Sequence, residues 1–256
     1  MPPILKRLAA ILLLSIAALP VQAGTTTVAV AANFTAAAKD IERAFEAASG
    51  YDLVLSFGST GKLYAQIIKG APFDAFLSAD QMRPEKLEQE RRGVADTRFT
   101  YALGQIVLWS SKTGVDPQAL LTAGTYNKLA IANPKTAPYG VAALQALQNL
   151  ELLKGAKTKL VRGDSIAQTH QFVSTGAADL GFIAQAQVAL DVGGSTWPVA
   201  PDLYQPIAQQ AILLPRGQDN AATRAFLTFL KTPEALDIIR MYGYGVAPSA
   251  RPGAES

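Results

Sequence analysis

Residues Val28 to Ala38 read VAVAANFTAAA, an apolar strand that passes into a helix with one polar residue, Asn33, at the join. A strand followed at once by a helix commits the chain to a βα unit, and a succession of such units to a parallel sheet covered by helices. The same strand–polar–helix pattern recurs at Ser59-Thr60, Pro138-Tyr139 and Ser165-Ile166. A helix start leaves its first N–H groups without intrahelical acceptors and carries a partial positive charge, so each join is a candidate anion site. Asn33 is expected to cap its helix through its side-chain oxygen while its NH2 faces outward. Four such starts converging on one point would hold a small oxyanion.

The order of elements follows from periodicity. Thr26 to Ala31 reads as a strand, and Phe34, Ala37, Ile41, Phe45 and Ala48 share one helical face ended by Gly50. Asp52 to Phe57 is a second strand, followed by a helix carrying Leu63 and Ile67. Phe73 to Leu77 is a third, after which Asp80 opens a charged helix. Tyr101 to Trp109 reads as one long strand, and Leu129 to Ala132 as another that leads into a helix with Val141, Leu144 and Leu147. Ser165 with Gln168 fits a capping box. Leu180 to Ala184 and Ile207 to Leu214 are strands, and two helices close the chain, the second opened by Thr232-Pro233-Glu234. The fold class is α/β with two similar lobes. The chain is expected to cross between them near Ala102 to Gln105 and again near Ala208 to Ala211. Ligands of open α/β sheets bind at the carboxyl ends of the strands, where the candidate junctions fall.

Residues 1–23 are set apart from the fold. Lys6 and Arg7 form a basic start, Leu8 to Leu19 an apolar run too short for a stable membrane anchor, and Val21-Gln22-Ala23 a small-residue cleavage site. A signal peptide implies export. The chain has 0 cysteines, which excludes disulfides and a lipid anchor attached through cysteine. Setting Lys6 and Arg7 aside leaves 21 of the 23 basic residues against 20 acidic ones. So even a balance gives no reason to expect nucleic-acid or membrane-surface binding.

Enzyme chemistry finds little footing. Gly58-Ser59-Thr60-Gly61-Lys62 suggests a phosphate loop, but that motif needs Gly where Ser56 stands and Ser or Thr where Leu63 stands. Ser59 lacks the G-x-S-x-G elbow, and the chain's 1 histidine, His170, lies far along the sequence. With no cysteine and no second histidine a typical zinc site is excluded, and no D-x-D-x-D calcium loop is present. Tyr242-Gly243-Tyr244-Gly245 reads as a helix end and turn.

Five segments together carry a resemblance: VAVAANFTAAA, the run SFGSTGKLYAQI with GAPFDAFLSADQ, NPKTAPYG, ADLGFIA, and RAFLTFLKTPEALDIIRMYGY. On them the chain resembles the periplasmic molybdate-binding proteins of ABC importers, the ModA family. The resemblance implies a two-lobed class II periplasmic binding protein fold, each lobe a mixed sheet flanked by helices, with the ligand cleft between the lobes. It implies lobe I over 24–104, lobe II over 105–208, and completion of lobe I over 209–256. The implied function is capture of molybdate or tungstate for an ABC permease in the inner membrane, by a periplasmic monomer that is no enzyme and has no cofactor. Another tetrahedral oxyanion such as sulfate, or a secreted hydrolase, are the rival readings.

The resemblance also assigns the site. Asn33 lies where members offer side-chain and backbone donors. In the glycine-flanked turn, Thr60 is the expected ligand, with Ser59 as neighbour or substitute. Tyr139 and Ile166 match positions whose backbone N–H groups bind the anion, and molybdenum is held only within its oxyanion. Some members supply a tyrosine hydroxyl from the segment aligned with Leu180 to Gln185, where this chain has Ala184. The Tyr139 phenol is expected to replace that donor. Neutral donors suffice for a desolvated dianion, and Asp80 and Asp164 are expected to stay clear of it.

Overall fold

The computed structural model describes residues 24–190 and 193–246, so the expected signal peptide and the tail at 252–256 lie outside the described residues. The first sheet is built on β1 (Thr25–Ala31), whose Val28, Ala29 and Val30 are fully buried. An unbroken apolar run suits a central strand covered on both faces. β2 (Asp52–Gly58) and β3 (Ala75–Leu77) flank it in parallel. β10 (Ile207–Leu213) and β4 (Phe99–Gly104) complete the order β2-β1-β3-β10-β4, with β10 antiparallel to both neighbours.

The second sheet repeats this plan as β7-β6-β8-β5-β9. Here β6 (Leu129–Ala132) lies parallel to β7 (Leu160–Gly163) and β8 (Leu180–Ala184). β5 (Ile106–Ser110) runs antiparallel to β8 and β9 (Ser195–Pro198). The long strand expected over Tyr101 to Trp109 is therefore two strands in two sheets, broken at Gln105. The break falls at the end of the span, Ala102 to Gln105, where the crossing between lobes is expected, at the one Gly-Gln pair in an otherwise apolar run. The return crossing occupies 199–206, and β10 begins at Ile207.

Helices cover both sheets. α1 (Thr35–Ser49) buries Ala37, Ala38, Ile41 and Phe45 on one face and ends at Gly50, whose φ of 71° is costly for any other residue. Phe45 meets Phe226 of α8 (Ala221–Phe229) edge-on at 5.4 Å, so the C-terminal helices close the core of the first sheet. α9 (Pro233–Met241) starts as expected, with Thr232 Oγ1 accepting from the Ala235 N–H and Pro233 at the first turn. Strands β7 and β9 and the short helices α4 (Pro117–Ala123) and α6 (Leu153–Ala156) escaped the sequence reading. LVRG and STWP are too short and too polar to show a period.

Candidate anion-binding site

The junctions at the strand carboxyl ends meet at one place. After β1, Ala32–Phe34 forms a single 3-10 turn. Beyond β2, Ser59 is the N-cap of α2 (Thr60–Ile68). From the second sheet, α5 (Pro138–Asn149) follows β6, and Ser165 caps α7 (Ile166–Ser174) after β7. Between them is a small, nearly filled cavity lined by Asn33, Ser59, Thr60, Tyr139 and Ile166, with Ala32, Ala79, Ala137 and Pro138 between. Every site residue expected from the sequence is in that lining, and none of the lining residues is charged.

The donors divide by type. Tyr139 is the second residue of α5 and Ile166 the first of α7, positions whose N–H groups have no intrahelical acceptor. Gln187 Nε2 donates to the Ile166 carbonyl at 3.1 Å and fixes that helix start from the end of β8. Ser165 Oγ accepts from the Gln168 N–H at 3.3 Å, one half of the expected box. The other half is displaced by one residue, since Gln168 Oε1 accepts from the Asp164 N–H at 2.6 Å.

Ser59 and Thr60 exchange emphasis relative to the sequence expectation. Thr60 Oγ1 accepts from the Ala79 N–H at 3.3 Å, so its oxygen ties α2 to the turn after β3. Ser59 makes no side-chain capping bond, and its buried Oγ has no hydrogen-bond partner among the described residues. A buried hydroxyl without a partner costs about 1–3 kcal/mol, and such a group calls for an explanation. It lines the cavity, where an anion would accept its proton.

Asn33 corrects two expectations. It sits inside the 3-10 turn and makes no cap, because α1 begins two residues later at Thr35. Its Nδ2 donates to Gln209 Oε1 at 2.6 Å, to the Tyr244 hydroxyl at 3.1 Å and towards the Tyr139 hydroxyl at 3.4 Å. The Tyr244 hydroxyl donates back to the Asn33 carbonyl at 2.7 Å. The Tyr139 hydroxyl also accepts from Gln209 Nε2 at 3.4 Å, so its phenol is engaged in this buried network, where it had been expected to face the anion. Burial pushes the Tyr101, Tyr139 and Tyr244 phenols well above their ordinary pKa, so each is a neutral O–H at physiological pH. Gln209, Tyr101 and Tyr244 were missed by the sequence reading. Only the glycines on either side of Tyr244 hinted that this tyrosine is held in a set place.

The nearby charges are paired. Asp80 is held by the Ser78 hydroxyl, the Arg83 N–H and the Arg83 guanidinium. Asp164 pairs with Lys62 at 2.8 Å, and that bridge joins α2 to the loop before α7. The Gly61 N–H donates to the Thr136 carbonyl at 2.8 Å across the same gap. A Cβ on Gly61 would stand 2.9 Å from Thr136 Cα, so this close approach requires glycine. These contacts close the cleft over the cavity. Among the described residues there is no cluster of His, Cys, Asp or Glu that could hold a metal ion.

Two sheets flanked by helices, with a small donor-lined cavity between them, are the plan of a solute-binding protein. Residues 26–245 match the family model described as bacterial extracellular solute-binding protein. The chain belongs to that family, in its molybdate-binding ModA branch. It is 53% identical over 247 residues to the molybdate-binding protein ModA of Azotobacter vinelandii, covering 94% of this chain and 98% of that one. The ModA of Rhodobacter capsulatus is 48% identical over 228 residues, covering 89% and 90%. Among solved structures, the Azotobacter vinelandii periplasmic molybdate-binding protein superposes with a TM-score of 0.83 at 38% identity, covering 87% of this chain and 100% of that one.

Proposed function

We propose that this protein captures molybdate or tungstate between its two sheets and delivers it to an ABC-type permease in the inner membrane. One observation carries the reading: an uncharged cavity draws donors from both sheets and holds a buried Ser59 hydroxyl with no other partner among the described residues. The protein binds and releases; it is not an enzyme. Ser59 Oγ, the Thr60, Tyr139 and Ile166 N–H groups and the Asn33 turn form the anion's first contacts. Each charge-assisted hydrogen bond from a neutral donor contributes about 1.5–3 kcal/mol, which compensates the dianion's lost hydration without a buried cation. The Lys62–Asp164 bridge and the Gly61–Thr136 bond belong to the closed form that the permease reads.

Residues 24–104 with 207 onward form one lobe and 105–206 the other, with Gln105 and the segment before β10 as the hinge. The chain acts as a monomer in the periplasm, released by cleavage after Ala23 and without a lipid anchor. Discrimination against sulfate comes from cavity size, because donors spaced for the larger tetrahedron cannot close on the smaller one. Calorimetry of the purified protein with molybdate, tungstate, sulfate and phosphate tests the reading. Tight binding of the first two alone supports it; equal or tighter sulfate binding refutes it.

A further inference from the structure

The polar network behind the cavity does work that the anion contacts do not explain. Gln209 lies on β10, a strand at the crossing between the sheets, and is fully buried. Its Oε1 accepts from Asn33 Nδ2 at 2.6 Å and from the Tyr101 hydroxyl at 3.2 Å. Its Nε2 donates to the Tyr139 hydroxyl at 3.4 Å. Asn33 belongs to the first sheet's half of the site and Tyr139 to the second's, so one amide touches both. The Tyr139 ring reaches across and seats its hydroxyl over Gly104, the last residue of β4, where a Cβ would overlap the oxygen and stand 3.0 Å from Cζ. The seat exists only because residue 104 has no side chain.

We propose that Gln209 is a positioning residue for anion capture, fixing the Asn33 turn and the Tyr139 helix start in one register by receiving the Tyr139 phenol when the lobes close. This rests on the oxyanion-binding reading above. The Tyr139 N–H and its phenol belong to one residue, so a seated phenol sets where that N–H points. An unseated one leaves the second lobe's donors free to drift from the first's. The network thereby holds the closed, loaded state and leaves the open state untouched. Its loss should speed release and spare capture.

The test uses the full mature protein, sodium molybdate as the probe, and stopped-flow kinetics beside calorimetry. Gln209→Met keeps the length and removes both hydrogen-bonding atoms. The variant is expected to raise the dissociation rate about tenfold or more with the association rate within a factor of about two. Tyr139→Phe should do the same. The double variant should release no faster than the worse single, because both remove the same latch. Gly104→Ala, which leaves every hydrogen-bonding group in place, should also speed release, and Tyr139→Phe should recover part of that loss by removing the overlapping oxygen. Unchanged release rates, losses that simply add, or an equal slowing of association overturn the proposal. A merely structural role would lower the melting temperature and leave the kinetic pattern unmoved. A wild-type protein that binds no molybdate would instead bring down the functional reading, and is told apart from these outcomes by that control alone.

Discussion

Replacing Ser59 with alanine separates binding from folding at a single atom. In most helices an N-cap serine accepts a backbone N–H, and its loss costs about 0.5–2 kcal/mol of stability. Ser59 makes no such bond, so Ser59→Ala removes no native hydrogen bond from the unliganded protein. It removes a buried hydroxyl that has no partner among the described residues, which relieves up to about 1–3 kcal/mol. The unliganded variant should therefore melt at the same temperature as the wild type or above it. Binding should move the other way. A hydroxyl donating to a charged acceptor contributes about 1.5–3 kcal/mol, so molybdate should bind roughly ten- to a hundredfold more weakly. Thr60→Val is the comparator. The Thr60 oxygen accepts the Ala79 N–H at 3.3 Å, so its loss should cost about 1 kcal/mol of stability before any ligand is added. Calorimetry and thermal melts with and without molybdate read both quantities. Unchanged affinity in Ser59→Ala, or a fall in its unliganded melting temperature, would refute the assignment of its hydroxyl to the anion.

Other outcomes follow from the same geometry. Gly61→Ala places a methyl 2.9 Å from Thr136 Cα and should hold the lips apart, weakening molybdate binding at least tenfold (about 1.4 kcal/mol) with little change in unliganded stability. Lys62→Ala breaks a bridge whose side chains are 54% and 68% exposed, so the effect on release should stay within about 1 kcal/mol and vanish in high salt, as stopped-flow at two ionic strengths would reveal. The Lys128 N–H bonded to Asp179 and the Arg98 side chain bonded to Glu88 hold those carboxyls below their ordinary 3.8 and 4.5. A lowered folded pKa means stability that is present above the ordinary value and lost as pH falls through the lower one, so melting temperatures should drop on acidification below about pH 4, less steeply in Asp179→Asn.

The meeting of the four junctions in one lining was legible because its logic is local. Strand–polar–helix joins at Asn33, Ser59-Thr60, Pro138-Tyr139 and Ser165-Ile166 can be read in a dozen residues, and a helix start binds anions whatever surrounds it. Which atom of each residue faces the cavity was less legible. Asn33 and Tyr139 were expected to offer their side chains, yet both are drawn into a network with Gln209 and Tyr244, which lie 176 and 211 residues beyond Asn33. No sequence period links residues so far apart. The crossing near Gln105 was legible, but not that it ends one strand and starts another: Tyr101 to Trp109 reads as a single run, and only the pairing of β4 with β10 and of β5 with β8 and β9 divides it.

The central claim is that neutral N–H and O–H groups from both sheets enclose the anion. A crystal grown with sodium molybdate, with anomalous data at the molybdenum edge, tests it most directly. The account predicts one metal peak inside the cavity, its oxygens within hydrogen-bonding reach of Ser59 Oγ and of the Thr60, Tyr139 and Ile166 N–H groups. A peak elsewhere, or one whose oxygens are held by lysine or arginine side chains, would contradict it.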